Sequence, residues 1–239
     1  MTGIETTAIL GEIVDRHPSL ARELERLKLD YCCGGQQTLT EACENQGLDP
    51  STIVVELTRL TTTESPGDWT KFDLLELIDH LETTHHQYLK KELPRLSSLT
   101  KKVQDAHGSN HPELSEVAAV FQRLHEDMDP HLMKEERVLF PMVKELAAAN
   151  SRPMFHCGSV ANPISVMLIE HDQAGALLDQ LVALTDNFRV PTDGCASFKA
   201  CYEGLAELNT DTRMHIHKEN NVLFPAVVTL ENQLPTFVD

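Results

Sequence analysis

Over residues 1–60 the apolar positions Ile9, Ile13, Leu20, Leu24 and Leu27 recur at helical spacing, which predicts short helices. The stretch DYCCGGQQTLTEAC breaks this pattern at Gly34 and Gly35, and Thr38 or Thr40 stands where the next short helix needs a cap. The segment QGLDPSTIVVELTRL reads as a turn at Gly47 and Pro50 followed by another helix. TTTESPGDWT, residues 61–70, reads as a linker. A domain boundary is expected there, between a small N-terminal helical domain (1–62) and a larger one (68–239).

Beyond the linker the pattern changes scale. Residues 71–104 carry Phe72, Leu75, Ile78, Leu81, Leu89, Leu93 and Leu96 at helical spacing. Residues 112–149 carry Leu114, Val117, Phe121, Leu124, Met128, Leu132, Val138, Leu139 and Met142. Residues 161–188 carry Ile164, Leu168, Leu177, Leu178 and Leu181, and residues 194–230 carry Phe198, Leu205, Leu208, Ile216, Val222, Leu223 and Val227. No alternating strand pattern competes. The expected fold is all-α, with an up-down four-helix bundle after the N-terminal helices.

Composition narrows the function. The chain has 239 residues, a formal charge of −17, 41% hydrophobic and 24% charged residues. That is an ordinary globular composition, and it argues against disorder. A phosphate-binding surface needs a basic footprint, so nucleic acid and anionic membranes are not expected partners. No apolar run approaches membrane-spanning length. The N-terminal MTGIETTAILGEIVDRH has no basic start and no apolar core of a signal peptide, so the expected location is the cytoplasm. The six cysteines (32, 33, 43, 157, 195 and 201) are then expected as free thiols. Vicinal Cys32 and Cys33 cannot bridge each other without strain.

The remaining excess is histidine, with 12 residues, as many as Phe, Tyr and Trp together. Two of them open an internal repeat. HLMKEERVLFP (131–141) and HIHKENNVLFP (215–225) share seven of eleven positions at an offset of 84 residues. Each copy contains His-x-x-x-Glu, which puts both side chains on one helical face. His131 and Glu135 fall on the apolar stripe 124, 128, 131, 135, 138, 139 and 142. His215 and Glu219 fall on the stripe 205, 208, 215, 219, 222, 223 and 226. A carboxylate on a core stripe is costly unless it is paired or bound to a metal. Two such pairs on facing helices point to a di-metal carboxylate bundle. The third helix offers His171, 44 residues before His215. The same distance back from His131 falls near His86, 45 residues away. His85 lies nearer the middle of the apolar stripe, so spacing favours His86 and the helical wheel favours His85. His80, in IDH, resembles the IEH at His171 but lies 51 residues before His131. Four His and two carboxylates suit borderline ions, and two iron ions fit best, with zinc and manganese the alternatives. Glu135 and Glu219 would bridge, leaving positions for water, O₂ or NO.

DYCCGG followed by a bundle carrying HLMKEERVLFP, NPISVMLIEHDQAG and HIHKENNVLFP resembles the family of hemerythrin-like di-iron proteins for repair of iron centres. The resemblance runs from about residue 5 to 230. It implies His86, His131, His171 and His215 as terminal ligands and Glu135 and Glu219 as bridges; the family's first ligand follows the Asp79-His80 dipeptide by six residues, which selects His86. Oxygen-carrying hemerythrin uses five His where four are in phase here, so simple O₂ storage is not expected. The resemblance implies repair of iron–sulfur clusters damaged by nitric oxide or oxidants, by supplying iron, with damaged iron–sulfur proteins as partners. Cys32 and Cys33 match the family's cysteine pair and are candidates for iron transfer or redox chemistry. Glu170, beside His171, and Asp127, one turn before His131, stand where they would line an approach to the metals. Non-enzymatic iron donation is the main expectation. The alternatives are reduction of NO to N₂O at the same centre and sensing of NO or O₂. A monomer and a homodimer are both compatible with the sequence.

Overall fold

The computed structural model describes residues 4–61 and 67–236. Residues 62–66, the middle of the expected linker, lie outside the described residues, as do 1–3 and 237–239. Four short helices come first: α1 (Leu10–Arg16), α2 (Ala21–Arg26), α3 (Leu39–Asn45) and α4 (Pro50–Leu60). Thr38, rather than Thr40, caps α3: its hydroxyl accepts from the Glu41 N–H and Glu41 accepts from the Thr38 N–H. Asp49 caps α4, with Pro50 in the first turn, where its missing N–H leaves no bond unmade.

The bundle helices are long and three of them contain a π turn. Leu74–His80, the π-helical Leu81–His86 and Gln87–His107 form one continuous helix, α5. Leu114–Lys134, π-helical Glu135–Leu139 and Phe140–Ala148 form α6. Ala161–Leu184 is α7. Ala196–Lys218, π-helical Glu219–Leu223 and Phe224–Gln233 form α8. The two repeat copies thus share a backbone irregularity as well as residues. Pro141 and Pro225 explain its place. Each lacks the N–H that a regular ladder needs, and its ring would crowd the carbonyl four residues back; the helix widens in the turn just before. Among the described residues no strand forms, only two isolated bridges, Ile9 with Thr38 and Phe155 with Gly158.

The apolar interior divides in two. One cluster holds Leu89, Leu93, Phe121, Leu124, Leu178, Phe198 and Leu208 of the bundle, and it continues into Leu10, Val14, Leu24, Tyr31, Leu39 and Leu57 of the N-terminal helices. The small unit therefore shares the bundle's core. The second cluster holds Leu77, Ile78, Leu81, Leu139, Phe140, Leu146, Leu223, Phe224 and Val227. Along all four bundle helices the boundary between the clusters falls at the same level, beside His85–His86, His131–Glu135, His171 and His215–Glu219.

Three of the apolar positions expected on the bundle helices face outward: Leu75 is 44% exposed, Val138 42% and Leu168 39%. Val138 lies inside a π turn, where more residues fill each turn and a 3.6-residue wheel loses phase.

Candidate metal centre

The polar layer between the two cores is dry. His86, Glu135, His171, His215 and Glu219 are fully buried and His131 is nearly so. Each helix contributes by position: α5 brings His86, α6 His131 and Glu135, α7 His171, α8 His215 and Glu219. The i, i+4 pairs meet as expected, with His131 Nε2 3.3 Å from Glu135 Oε1 and His215 Nε2 3.2 Å from Glu219 Oε1. Across the bundle, His86 Nε2 lies 3.5 Å from Glu135 Oε2 and His171 Nε2 3.2 Å from Glu219 Oε2. Each carboxylate thus turns one oxygen to the His86–His215 pair and the other to the His131–His171 pair. Two four-donor groups result: His86, Glu135, His215 and Glu219; and His131, Glu135, His171 and Glu219. Within each group the ligating atoms lie within 4.8 Å of one another.

The surrounding hydrogen bonds decide which nitrogens face inward. His86 Nδ1–H donates to Glu136 Oε1 at 2.9 Å, His131 Nδ1–H to Glu170 Oε2 at 2.9 Å and His171 Nδ1–H to Asn220 Oδ1 at 2.7 Å. A carboxylate can only accept, so the protons on His86 and His131 sit on Nδ1. Asn220 reaches the same result indirectly. Its Nδ2–H donates to the Cys32 carbonyl at 3.2 Å, which leaves Oδ1 for His171. In these rings Nε2 is left as a lone pair. The Nε2 atoms of His86 and His215, and those of His131 and His171, approach to 3.2 Å. All four carboxylate oxygens of Glu135 and Glu219 are buried without a hydrogen-bond partner, as is His215 Nδ1. Inward-facing lone pairs and orphaned carboxylate oxygens at this depth fit cations. In the metal-free chain protons take part of that role. Burial disfavours the charged His131 ring, but Glu135, Glu170 and Glu219 outweigh it and push its pKa up to about 10. Burial also opposes ionisation of Glu219, and His215 and His171 reverse this and hold it well below the usual carboxylate range.

His85, the alternative to His86, stands in neither donor group. His85 is also buried and its ring stacks on that of His215, with centroids 5.5 Å apart, but both of its nitrogens are engaged elsewhere. Its Nδ1 pairs with Asp211 Oδ1 at 2.8 Å, and its Nε2 meets Lys218 Nζ at 2.8 Å. Burial and the Lys218 charge push its pKa far down, so the ring is neutral. The wheel had favoured His85 because the π turn at Leu81–His86 intervenes.

A cleft and the cysteine turn border this layer. A cleft of about 220 Å³ beside His131 is lined by Asp127, Lys134, Glu170 and Gln173. Glu170 also pairs with Lys134, and the His131 bond, against burial, holds its carboxyl at about 2. The cysteine turn packs against α7 and α8, beside Gly175 and Asn220. Asp30 accepts from the N–H groups of Cys32, Cys33 and Gly34, which fixes the turn. Asn221 Nδ2 lies within hydrogen-bonding distance of the Tyr31 and Cys32 carbonyls. The sulfurs of Cys32 and Cys33 lie 3.8 Å apart, and all six cysteines are free. Asp30, Cys32 and Cys33 form a third group of closely spaced donor atoms. The bond from Cys32 to Cys33, burial and the Asp30 charge raise the Cys32 pKa well above the usual thiol range. Cys33 is half-buried and faces α7 one turn beyond His171, where a methyl on Gly175 would stand 3.5 Å from its sulfur.

Residues 77–227 match the Hemerythrin HHE cation binding domain, and residues 6–61 match ScdA_N, a domain of unknown function (DUF542). The chain is 39% identical over 222 residues to the iron-sulfur cluster repair protein YtfE of Enterobacter sp. strain 638, covering 93% of this chain and 97% of that one. The proteins of the same name from Cronobacter sakazakii and Escherichia coli strain SMS-3-5 are 37% identical, over 93% of this chain and 96% and 97% of theirs. The chain belongs to the repair-of-iron-centres family.

Within this family member several residues that pattern reading passed over take part in the layer. Glu136 and Asn220 each follow the repeat's Glu and each receive a ring N–H. That equivalence was visible in the repeat, at the position where EER and ENN differ. Asp211, Lys218 and His217 carry no such signal. Burial lowers the Lys218 pKa to about 8 and raises that of Asp211 to about 7. Lys218 lies 4.4 Å from the Trp69 ring. Asp15 binds both Trp69 Nε1 and His217 Nε2, tying the linker's end and α1 to α8.

Proposed function

We propose that this chain is a di-iron protein that repairs iron–sulfur clusters damaged by nitric oxide or oxidants, by donating iron. The observation that carries the reading is the pair of four-donor groups that share Glu135 and Glu219. In this reading His86 and His215 would hold one ion and His131 and His171 the other, with Glu135 and Glu219 offering one oxygen to each. Imidazole and carboxylate together suit ferrous and ferric iron. Bound there, iron supplies redox capacity and open coordination positions for small ligands such as NO or O₂. Glu136, Glu170 and Asn220 hold three of the imidazoles in the ligating tautomer. The names of the relatives support repair as the role.

Iron is then cargo, and the cleft beside His131 is its exit. Asp127 and Glu170 favour a departing cation, and Lys134 offsets part of their charge. Cys32 and Cys33 are the candidates to receive the ion or to exchange electrons with it. The partners are cluster proteins that have lost iron, met in a reducing cytoplasm.

The test is anaerobic loading with ferrous iron, followed by metal analysis and transfer to a cluster protein stripped by NO. Two irons per chain, their loss in Glu135→Ala and Glu219→Ala, and rebuilding of the acceptor cluster are expected. Zinc in place of iron, or full iron in both variants, overturns the site. Repeated turnover of NO to N₂O with no transfer replaces donation by catalysis.

A further inference from the structure

The two halves of the bundle repeat each other, but the residue after each candidate bridging Glu differs. In α6 it is Glu136, and in α8 it is Asn220. Both accept an Nδ1–H from a histidine of another helix: Glu136 from His86 on α5, Asn220 from His171 on α7. For that task a carboxylate is the stronger acceptor, so the amide in α8 calls for a second reason. Its other end supplies one. Asn220 Nδ2–H donates to the Cys32 carbonyl at 3.2 Å. A carboxylate there would meet that carbonyl acceptor to acceptor. Glu136 has no such duty, and its carboxylate binds the Lys90 ammonium.

We infer that Asn220 is a positioning residue that couples the Cys32–Cys33 turn to His171, so that the turn and the metal-facing ring are set together. The inference rests on the proposed iron site. The linkage has three members. The Cys32 carbonyl can only accept, so it orients the amide. The oriented amide presents Oδ1 to the ring, and Oδ1 fixes the proton on Nδ1. His171 Nε2 is thereby free to ligate. Coupling of this kind is reciprocal: an ion that pins His171 also steadies the amide and the turn. Asn221 takes a separate part, holding the Tyr31 and Cys32 carbonyls without touching His171. The halves of the bundle are thus alike in candidate ligands and unlike in what stands behind them, and the α8 amide reaches the main chain of the cysteine turn.

The test separates the two ends of the amide. Asn220→Asp keeps an acceptor for His171 and loses the donor for Cys32; Asn220→Ala loses both. In the intact wild-type chain, ferrous loading is expected to slow alkylation of the Cys32–Cys33 peptide, read by mass spectrometry, by roughly two- to twelvefold, the range one net hydrogen bond provides. In both variants, compared at matched iron occupancy set by metal analysis, the loaded and metal-free rates should coincide. A wild-type ratio in Asn220→Asp overturns the coupling. A metal-free arm uses ¹⁵N-histidine spectra: the His171 Nδ1–H signal should persist in Asn220→Asp and vanish in Asn220→Ala. Its survival in Asn220→Ala also overturns the assignment. Should the wild type take up no iron, the proposed function fails, and the metal-free arm still decides the role of Asn220.

Discussion

Gly35→Ala is the most direct probe of how the cysteine turn sits on the bundle. A methyl at Gly35 would stand 2.4 Å from the Tyr31 carbonyl oxygen and 2.5 Å from Asn221 Oδ1. The first is backbone and cannot swing aside. The second belongs to the side chain that holds the Tyr31 and Cys32 carbonyls. Gly35 also accepts from the Gly11 N–H at 2.8 Å, so shifting it disturbs α1. Overpacking of this kind costs about 1–3 kcal/mol. Each hydrogen bond loosened adds about 0.5–1.5 kcal/mol. The expected loss is about 2–4 kcal/mol, or roughly 5–15 °C in melting temperature for a chain of this length. The assay is thermal unfolding of the metal-free protein, paired with alkylation of Cys32 and Cys33. Both thiols should react faster at 25 °C, well below the melt. A variant that melts within 2 °C of wild type with unchanged thiol reactivity would show that the turn is not held where these contacts put it.

Three further outcomes follow from the same geometry. Gly175→Ala should stabilise the chain by about 0.5–1 kcal/mol in thermal or urea melts, because a mid-helix glycine is replaced and the new methyl meets Cys33 Sγ only at van der Waals distance, 3.5 Å; a destabilised variant refutes the placement of Cys33. Phe140→Ala should cost about 3–5 kcal/mol by urea denaturation, since Phe140 is fully buried and stacks on His86 at 5.5 Å. In the metal-free protein the His131 pKa is raised from 6.5 to about 10, so its contribution to stability is complete below about pH 6.5 and is lost as pH rises through about 10. Urea midpoints should fall across that window, and His131→Gln should flatten the fall; parallel curves would remove His131 as the source.

Much of this architecture is readable from residue order alone, and the exceptions have a common cause. The four long helices, the repeat and both His-x-x-x-Glu pairs are local patterns with a fixed period, and local patterns survive folding. His86 against His85, and the exposed Val138, are ambiguous because a π turn changes the period at that point. Asn220 and Asn221 act across some 190 residues on main-chain carbonyls, a contact that leaves no periodic trace. Lys218 reads as a solvated cation and is instead buried between His80 and His85, under Trp69. Its neighbours come from the opposite end of the bundle's sequence.

The grip on the cysteine turn divides labour between main chain and side chains in an unusual way. The bundle takes hold of Tyr31 and Cys32 by their carbonyl oxygens, which every amino acid has. The thiols add one contact to that hold, Arg213 Nη1 of α8 lying 3.9 Å from Cys32 Sγ. Replacing Cys32 or Cys33 by serine therefore leaves the carbonyl contacts in place, and such variants report on sulfur chemistry rather than on folding. Intolerance falls instead on Gly35, the position that has no side chain to offer. In this segment the steric constraint falls on the inert position rather than on the reactive ones.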